Sequence, residues 1–187
     1  MTRKQWFIQN RLVLAILIGL LFWQHCSGVS NAAEANRSPE WAVPVVIEGL
    51  PNLHKVSDDL YRGAQPSMEG FVKLKELGIK TIVNLRGSDK DYEHIRGKGF
   101  NYFHIPVNTF SPNHKEFARF LEIVSNPAYC PVFVHCKHGA DRTGTAAALY
   151  RVKIQGWDVE KAIDEMVHGG YHFHWIHWPL KTFIRRF

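Results

Sequence analysis

Residues 131–144 (PVFVHCKHGADRTG) constrain this chain more than any other stretch. The run 131–135 is almost wholly apolar, as in a strand at the centre of a sheet covered on both faces. A cysteine, Cys136, ends it, and five residues separate Cys136 from Arg142, where a helix is predicted over 143–155. The intervening loop is short enough to curl, so that its backbone N–H groups face one centre. The following helix adds its free N–H groups and the positive end of its dipole. Such a cradle binds a phosphate dianion and stabilises a thiolate at its base.

The flanking segments supply the rest of a sheet. Strands are predicted around 60–62, over 79–85 (IKTIVNL), over 101–107 (NYFHIPV) and over 131–135. Helices are predicted from Pro66 and Ser67 to Gly78, over 89–98, 113–124, 143–155 and 159–168, and after Pro179. Residues 36–52, with Pro39, Pro44 and Pro51, read as an entry segment. Alternating strands and helices predict a three-layer α/β fold with a central, largely parallel sheet. Ligands in such folds sit at the carboxyl ends of the strands, where Cys136 falls.

The N-terminus has another character. Arg3, Lys4 and Arg11 flank an apolar run of 12 residues, 12–23 (LVLAILIGLLFW), and the A-x-A site Ala33-Glu34-Ala35 follows. This is the layout of a secretory signal peptide, and the run is shorter than the roughly 20 residues of a spanning helix. Trp6, Phe7 and Ile8 lengthen the apolar stretch and leave an uncleaved anchor as the alternative. Residues 1–35 are thus expected to be a signal peptide or anchor, and 36–187 an exported domain, periplasmic, secreted or membrane-anchored. Membrane contact is expected only if the segment is uncleaved. Formal net charge is +6, and cleavage after Ala35 would remove three positive charges and one negative, leaving +4. That balance suits an anionic substrate; there is no dense basic stripe or recognition motif for nucleic acid. Cys26 falls before the cleavage site. Cys130 and Cys136 are expected at opposite ends of one strand, about 20 Å apart, too far for a disulfide. Cys136 should therefore be a free thiol.

The stretch His135, Cys136, Arg142, Thr143 matches the H-C-x5-R-[ST] signature and resembles the cysteine-based protein tyrosine and dual-specificity phosphatases. Residues 60–66 (LYRGAQP) and 82–86 (IVNLR) are similar to the small atypical dual-specificity members, including those that act on inositol pyrophosphates. The resemblance implies no metal and no organic cofactor. In this reading Cys136 attacks phosphorus and forms a phosphocysteine. Arg142 forks onto two phosphate oxygens, and the amides of the loop Lys137-His138-Gly139-Ala140 stabilise the equatorial charge. Gly139 supplies the turn, Thr143 helps the thiolate leave, and His135 supports the loop.

One family feature is missing. The segment 106–114 (PVNTFSPNH), where members carry an aspartate proton donor, has no carboxylate. Asp141 is the preferred acid, since like charge favours the protonated form of a carboxyl facing a bound phosphate. The alternatives are that Asp141 ties the loop to a neighbour, or that His114 is the donor. Lys137 and His138 add cations to the rim, suiting substrates with several phosphates, or are merely solvated. Arg86 either touches the site or pairs with a carboxylate. The cluster His168, His172, His174, His177 interleaves with Tyr171, Phe173, Trp175 and Trp178, and reads as an aromatic patch with satisfied histidines rather than a metal site. The activity expected is hydrolysis of phosphomonoesters on phosphotyrosine proteins, inositol phosphates or phosphoinositides. The rival readings are a phosphate-recognition module with weak or no turnover, and a rhodanese-type sulfurtransferase.

Overall fold

The computed structural model describes residues 37–187; the signal or anchor expected in 1–35, with Cys26, lies outside the described residues. Residues 40–187 form one unit. Its strands are β1 (Val43–Pro44), β2 (His54–Lys55), β3 (Leu60–Gly63), β4 (Thr81–Asn84), β5 (Asn101–His104) and β6 (Val132–His135). Its helices are α1 (Met68–Glu76), α2 (Asp91–Ile95), α3 (His114–Val124), α4 (Asp141–Lys153), α5 (Val159–His168) and α6 (Pro179–Arg186), with a 3-10 turn at Trp175–His177.

The six strands make one sheet in the order β1-β2-β3-β6-β4-β5. β3, β6, β4 and β5 are parallel, whereas β1-β2 and β2-β3 pair antiparallel. The sheet is thus mixed: its functional centre is parallel as expected, and two strands of two residues each, β1 within the entry segment and β2 just after it, are added at one edge. So short a strand shows no alternation in sequence.

Side chains alternate across the sheet with the strand period. On one face Ile82 and Phe133 pack with Phe71 and Leu74 of α1 and Ile95 of α2. On the other, Val83, Val132 and Val134 pack with Phe117, Phe120 and Ile123 of α3, Leu149 of α4, Met166 of α5 and Ile184 of α6. Three layers result, as the sequence pattern predicts. Caps set the helix starts. Ser67 accepts from the Gly70 N–H at the head of α1, and Asn113 and Glu116 form a capping box at α3. α4 starts two residues before its expected position, which brings Asp141 and Arg142 into its first turn.

β6 lies between β3 and β4, although it follows both in the chain. His135 is in register with Gly63 on one side and Asn84 on the other. The loop leaving β6 therefore emerges between the carboxyl ends of two parallel neighbours, at a topological switch point.

Candidate active site

Cys136 begins that loop, 2% exposed and unpaired. The loop that follows is held from beneath by its carbonyls. Lys137 O accepts from the Gln65 N–H at 3.3 Å, His138 O from Asn52 Nδ2 at 3.0 Å and Gly139 O from Arg62 Nη2 at 2.8 Å. In a planar trans peptide the N–H points opposite the C=O. Anchoring three successive carbonyls outward thus directs the N–H groups of His138, Gly139 and Ala140 the other way, toward the loop's inner side. The first N–H groups of α4 have no intrahelical acceptor and complete an anion cradle.

Gly139 is obligatory for two reasons. Its φ is +71°, and a β-carbon there would lie 2.6 Å from Ala64 N and Gly63 C. Arg62, which holds its carbonyl, is 1% exposed and stacks 3.6 Å over the Tyr171 ring. Burial lowers the guanidinium pKa, and Tyr171, Glu165 and Cys136 oppose that shift. Tyr171 in turn donates to Glu165 Oε1. Glu165 forms a two-pronged pair with Arg151, at 2.7 and 2.9 Å, and accepts from the Ala42 N–H. Burial raises the Glu165 pKa, but Arg151, the Ala42 amide and Tyr171 outweigh it and leave the carboxyl below its usual value.

Behind the cysteine, His135 is fully buried, with Nε2 3.2 Å from Asp91 Oδ2. Gln65 donates to Asp91 Oδ1 at 2.8 Å and accepts from Arg86 Nη1. Burial pushes the Asp91 carboxyl up; His135, Gln65 and Arg86 together bring it below the usual range. Arg86 thus pairs with a carboxylate network, one of its two expected roles. Arg142 is half-buried, and its Nη1 donates to Leu85 O at 3.3 Å, joining the loop to the end of β4. Thr143 Oγ1 is buried without a hydrogen-bond partner among the described residues. Lys137 and His138 are exposed at the rim.

Asp141 faces the C-terminal segment, the arrangement expected if it ties the loop to a neighbour. Its Oδ1 accepts the His174 backbone N–H at 2.9 Å, and its Oδ2 lies 2.8 Å from His174 Nδ1. Both oxygens are taken up by one residue, so the carboxylate ties the loop to the C-terminal segment. His114 is packed elsewhere, stacked on Phe187 and tilted against Phe183 of α6. His168 pairs with Asp164 on its own helix. His174 and His177 gather at Asp141, however, so part of the presumed aromatic patch belongs to the site. Among the described residues no group of three or more His, Cys, Asp or Glu is placed to hold a metal.

Arg62 and Gln65 fall in the stretch 60–66 that resembles the atypical members, and His174 in the histidine cluster, but neither pattern marks them as site residues; Asn52 and Asp91 carry no signal in the sequence.

Comparison with known proteins agrees with this geometry. Residues 43–173 match the family described as DSP-PTPase phosphatase fused to NAD+ kinase. The chain is 35% identical over 164 residues to the dual specificity protein phosphatase TpbA of Pseudomonas aeruginosa, covering 86% of this chain and 72% of that protein. It is 30% identical over 123 residues to the inositol diphosphatase SIW14 of Saccharomyces cerevisiae, covering 61% of this chain and 43% of that protein. The crystal structure of a cysteine-to-serine variant of P. aeruginosa TpbA in complex with pTyr superposes with a TM-score of 0.69 at 32% identity, over 80% of this chain and 91% of that one. The sulfurtransferase and turnover-free readings give way to these relatives. With its cysteine loop at the switch point of a mixed sheet, the chain belongs to the tyrosine and dual-specificity phosphatases and is a cysteine-dependent phosphatase of that fold.

Proposed function

We propose that Cys136 is the nucleophile and Arg142 the phosphate clamp, and that the preferred substrates are phosphotyrosine proteins. The outward anchoring of three successive loop carbonyls carries this reading, because it turns the intervening amides toward a single anion. Cys136 attacks phosphorus in line, forms a phosphocysteine and releases the leaving group. The inward N–H groups and the Arg142 fork hold the equatorial oxygens. The buried Thr143 hydroxyl, without a hydrogen-bond partner among the described residues, can serve the departing sulfur in the second step. Likeness to a pTyr-bound phosphatase across four fifths of the chain supports the substrate class.

The exposed Lys137 and His138 favour a second reading, inositol polyphosphates or pyrophosphates, since added cations suit several phosphates. Parallel kcat/KM measurements on phosphotyrosine peptides, inositol phosphates and phosphoinositides separate the two. Phosphotyrosine should lead. Higher kcat/KM on inositol phosphates, lost selectively in Lys137→Ala, would replace the first reading with the second.

The enzyme is proposed to act outside the cytoplasm, on the strength of the basic start, short apolar run and A-x-A site in residues 1–35. Protein recovered from an extracytoplasmic fraction should begin within residues 34–38. An intact Met1 in a soluble cytoplasmic pool would refute this.

A further inference from the structure

Hydrolysis of a phosphate ester with a poor leaving group needs a proton donor, and the two candidates expected from the sequence, Asp141 and His114, are both engaged with other groups. The segment between β5 and α3 has no carboxylate before Glu116, and Glu116 is committed to capping α3. Asp141 has both oxygens on His174. What stands at the rim of the loop is an imidazole. The His174 ring lies 5.6 Å, centroid to centroid, from that of His138, the second residue after Cys136. Its backbone and its Nδ1 are both fixed on the residue directly before Arg142, so it is registered on the phosphate loop itself. The side chain is 46% exposed, open to an incoming substrate. With Nδ1 given to the carboxylate, Nε2 is the nitrogen left to carry and release a proton. The titratable groups around it are Asp141 from α4, His138 from the loop and His177 from the 3-10 turn. The His177 ring is 6.2 Å from that of His174, and its Nε2 is 3.9 Å from Asp141 Oδ2. His177 also packs edge-on against Phe110, in the segment that lacks the carboxylate.

Resting on the phosphocysteine reading, we infer that His174 is the proton donor to the leaving group, with Asp141 as its positioning residue. As Sγ of Cys136 bonds to phosphorus, the bond from phosphorus to the leaving oxygen breaks. The proton on His174 Nε2 passes to that oxygen, which departs as an alcohol, and the imidazole is left neutral. In the second step Nε2 takes a proton from the water attacking phosphorus. The S–P bond breaks, orthophosphate leaves, and the thiolate and the protonated imidazole are restored. A pair formed by Asp141 at the start of α4 and His174 of the C-terminal segment thus does the work of a carboxylate on a separate loop.

The test compares kcat on nitrophenyl phosphate, whose leaving group departs unprotonated, with kcat on an alkyl phosphate or phosphoserine peptide. His174→Gln should lower the alkyl rate by about 100-fold or more, the range of general acid catalysis. It should leave the nitrophenyl rate within a few-fold, and that surviving rate certifies the fold. The basic limb of the kcat–pH profile on the alkyl substrate should vanish. Asp141→Asn should give a smaller alkyl loss and displace that limb. His168→Ala, at an exposed pair with Asp164 on α5, should change neither rate. Equal losses on both substrates in His174→Gln, or no loss on either, would overturn the assignment. The underlying phosphatase reading is tested separately: it fails if Cys136→Ser still hydrolyses nitrophenyl phosphate.

Discussion

Arg62 Nη2 donates to the carbonyl oxygen of Gly139 at 2.8 Å, from a strand 77 residues earlier in the chain. A fully buried guanidinium thereby holds the phosphate loop from below, while its other face stacks on Tyr171. The cation is costly to bury, yet it fixes one carbonyl outward and sets positive charge beneath the loop.

Replacing it should expose that dual role. Arg62→Met keeps most of the stem but leaves Gly139 O without its donor, a loss of about 1–3 kcal/mol for a buried acceptor. In a domain of this size that is a fall in Tm of several degrees, about 2–4 °C per kcal/mol. The loop amides would also lose their fixed aim, so affinity for inorganic phosphate as a competitive inhibitor should weaken more than stability alone explains. Calorimetry and inhibition assays together check this. Unchanged inhibition would leave Arg62 a purely structural residue.

Two glycines of like backbone but unlike surroundings give a matched pair. Gly78 (φ +80°) has open space where a β-carbon would stand, whereas at Gly139 (φ +71°) that carbon would meet backbone atoms at 2.6 Å. Gly78→Ala should cost about 1–3 kcal/mol, the strain of a non-glycine residue at positive φ, with kcat unaffected. Gly139→Ala should cost more, because backbone cannot yield as a side chain does, and should abolish turnover by displacing the loop. Denaturant unfolding and steady-state rates on the two variants separate local strain from loss of the cradle.

Much of this was legible locally. The loop from His135 to Thr143 is contiguous, so its spacing alone announces a cradle between strand and helix. The core strands β4 and β6 and the helix α5 follow from apolar patterning. Long-range pairings left no such trace. Arg62, Tyr171, Glu165 and Arg151 meet only after folding has brought β3, α4, α5 and the C-terminal segment together. The direction of Asp141 was likewise unreadable, since a helix-start carboxylate can face the loop or its neighbours, and His174 lies 33 residues away.

The Glu165–Arg151 pair should shape acid stability. The Glu165 carboxyl lies below its usual pKa in the folded protein. Its contribution is therefore complete above the unfolded value, about pH 4.3, and is lost as pH falls through the lower folded value. Asp91, depressed in the same sense, adds to the loss. Glu165→Gln should destabilise the protein near neutrality by about 3–5 kcal/mol, as for a broken buried pair. It should also show a shallower decline below pH 4. A variant whose acid limb runs parallel to that of the wild type would remove Glu165 from this role.

The nucleophile is tested most directly by stopping the enzyme in acid during turnover of a phosphotyrosine peptide and mapping the phosphate by mass spectrometry. The phosphoryl group should be found on Cys136 in the wild-type protein. In Cys136→Ser both adduct and turnover should disappear, and Arg142→Lys should turn over far more slowly, since lysine lacks the two-pronged fork. A phosphoryl group on any other residue, or hydrolysis by Cys136→Ser at the wild-type rate, would show that the loop binds phosphate without performing the chemistry.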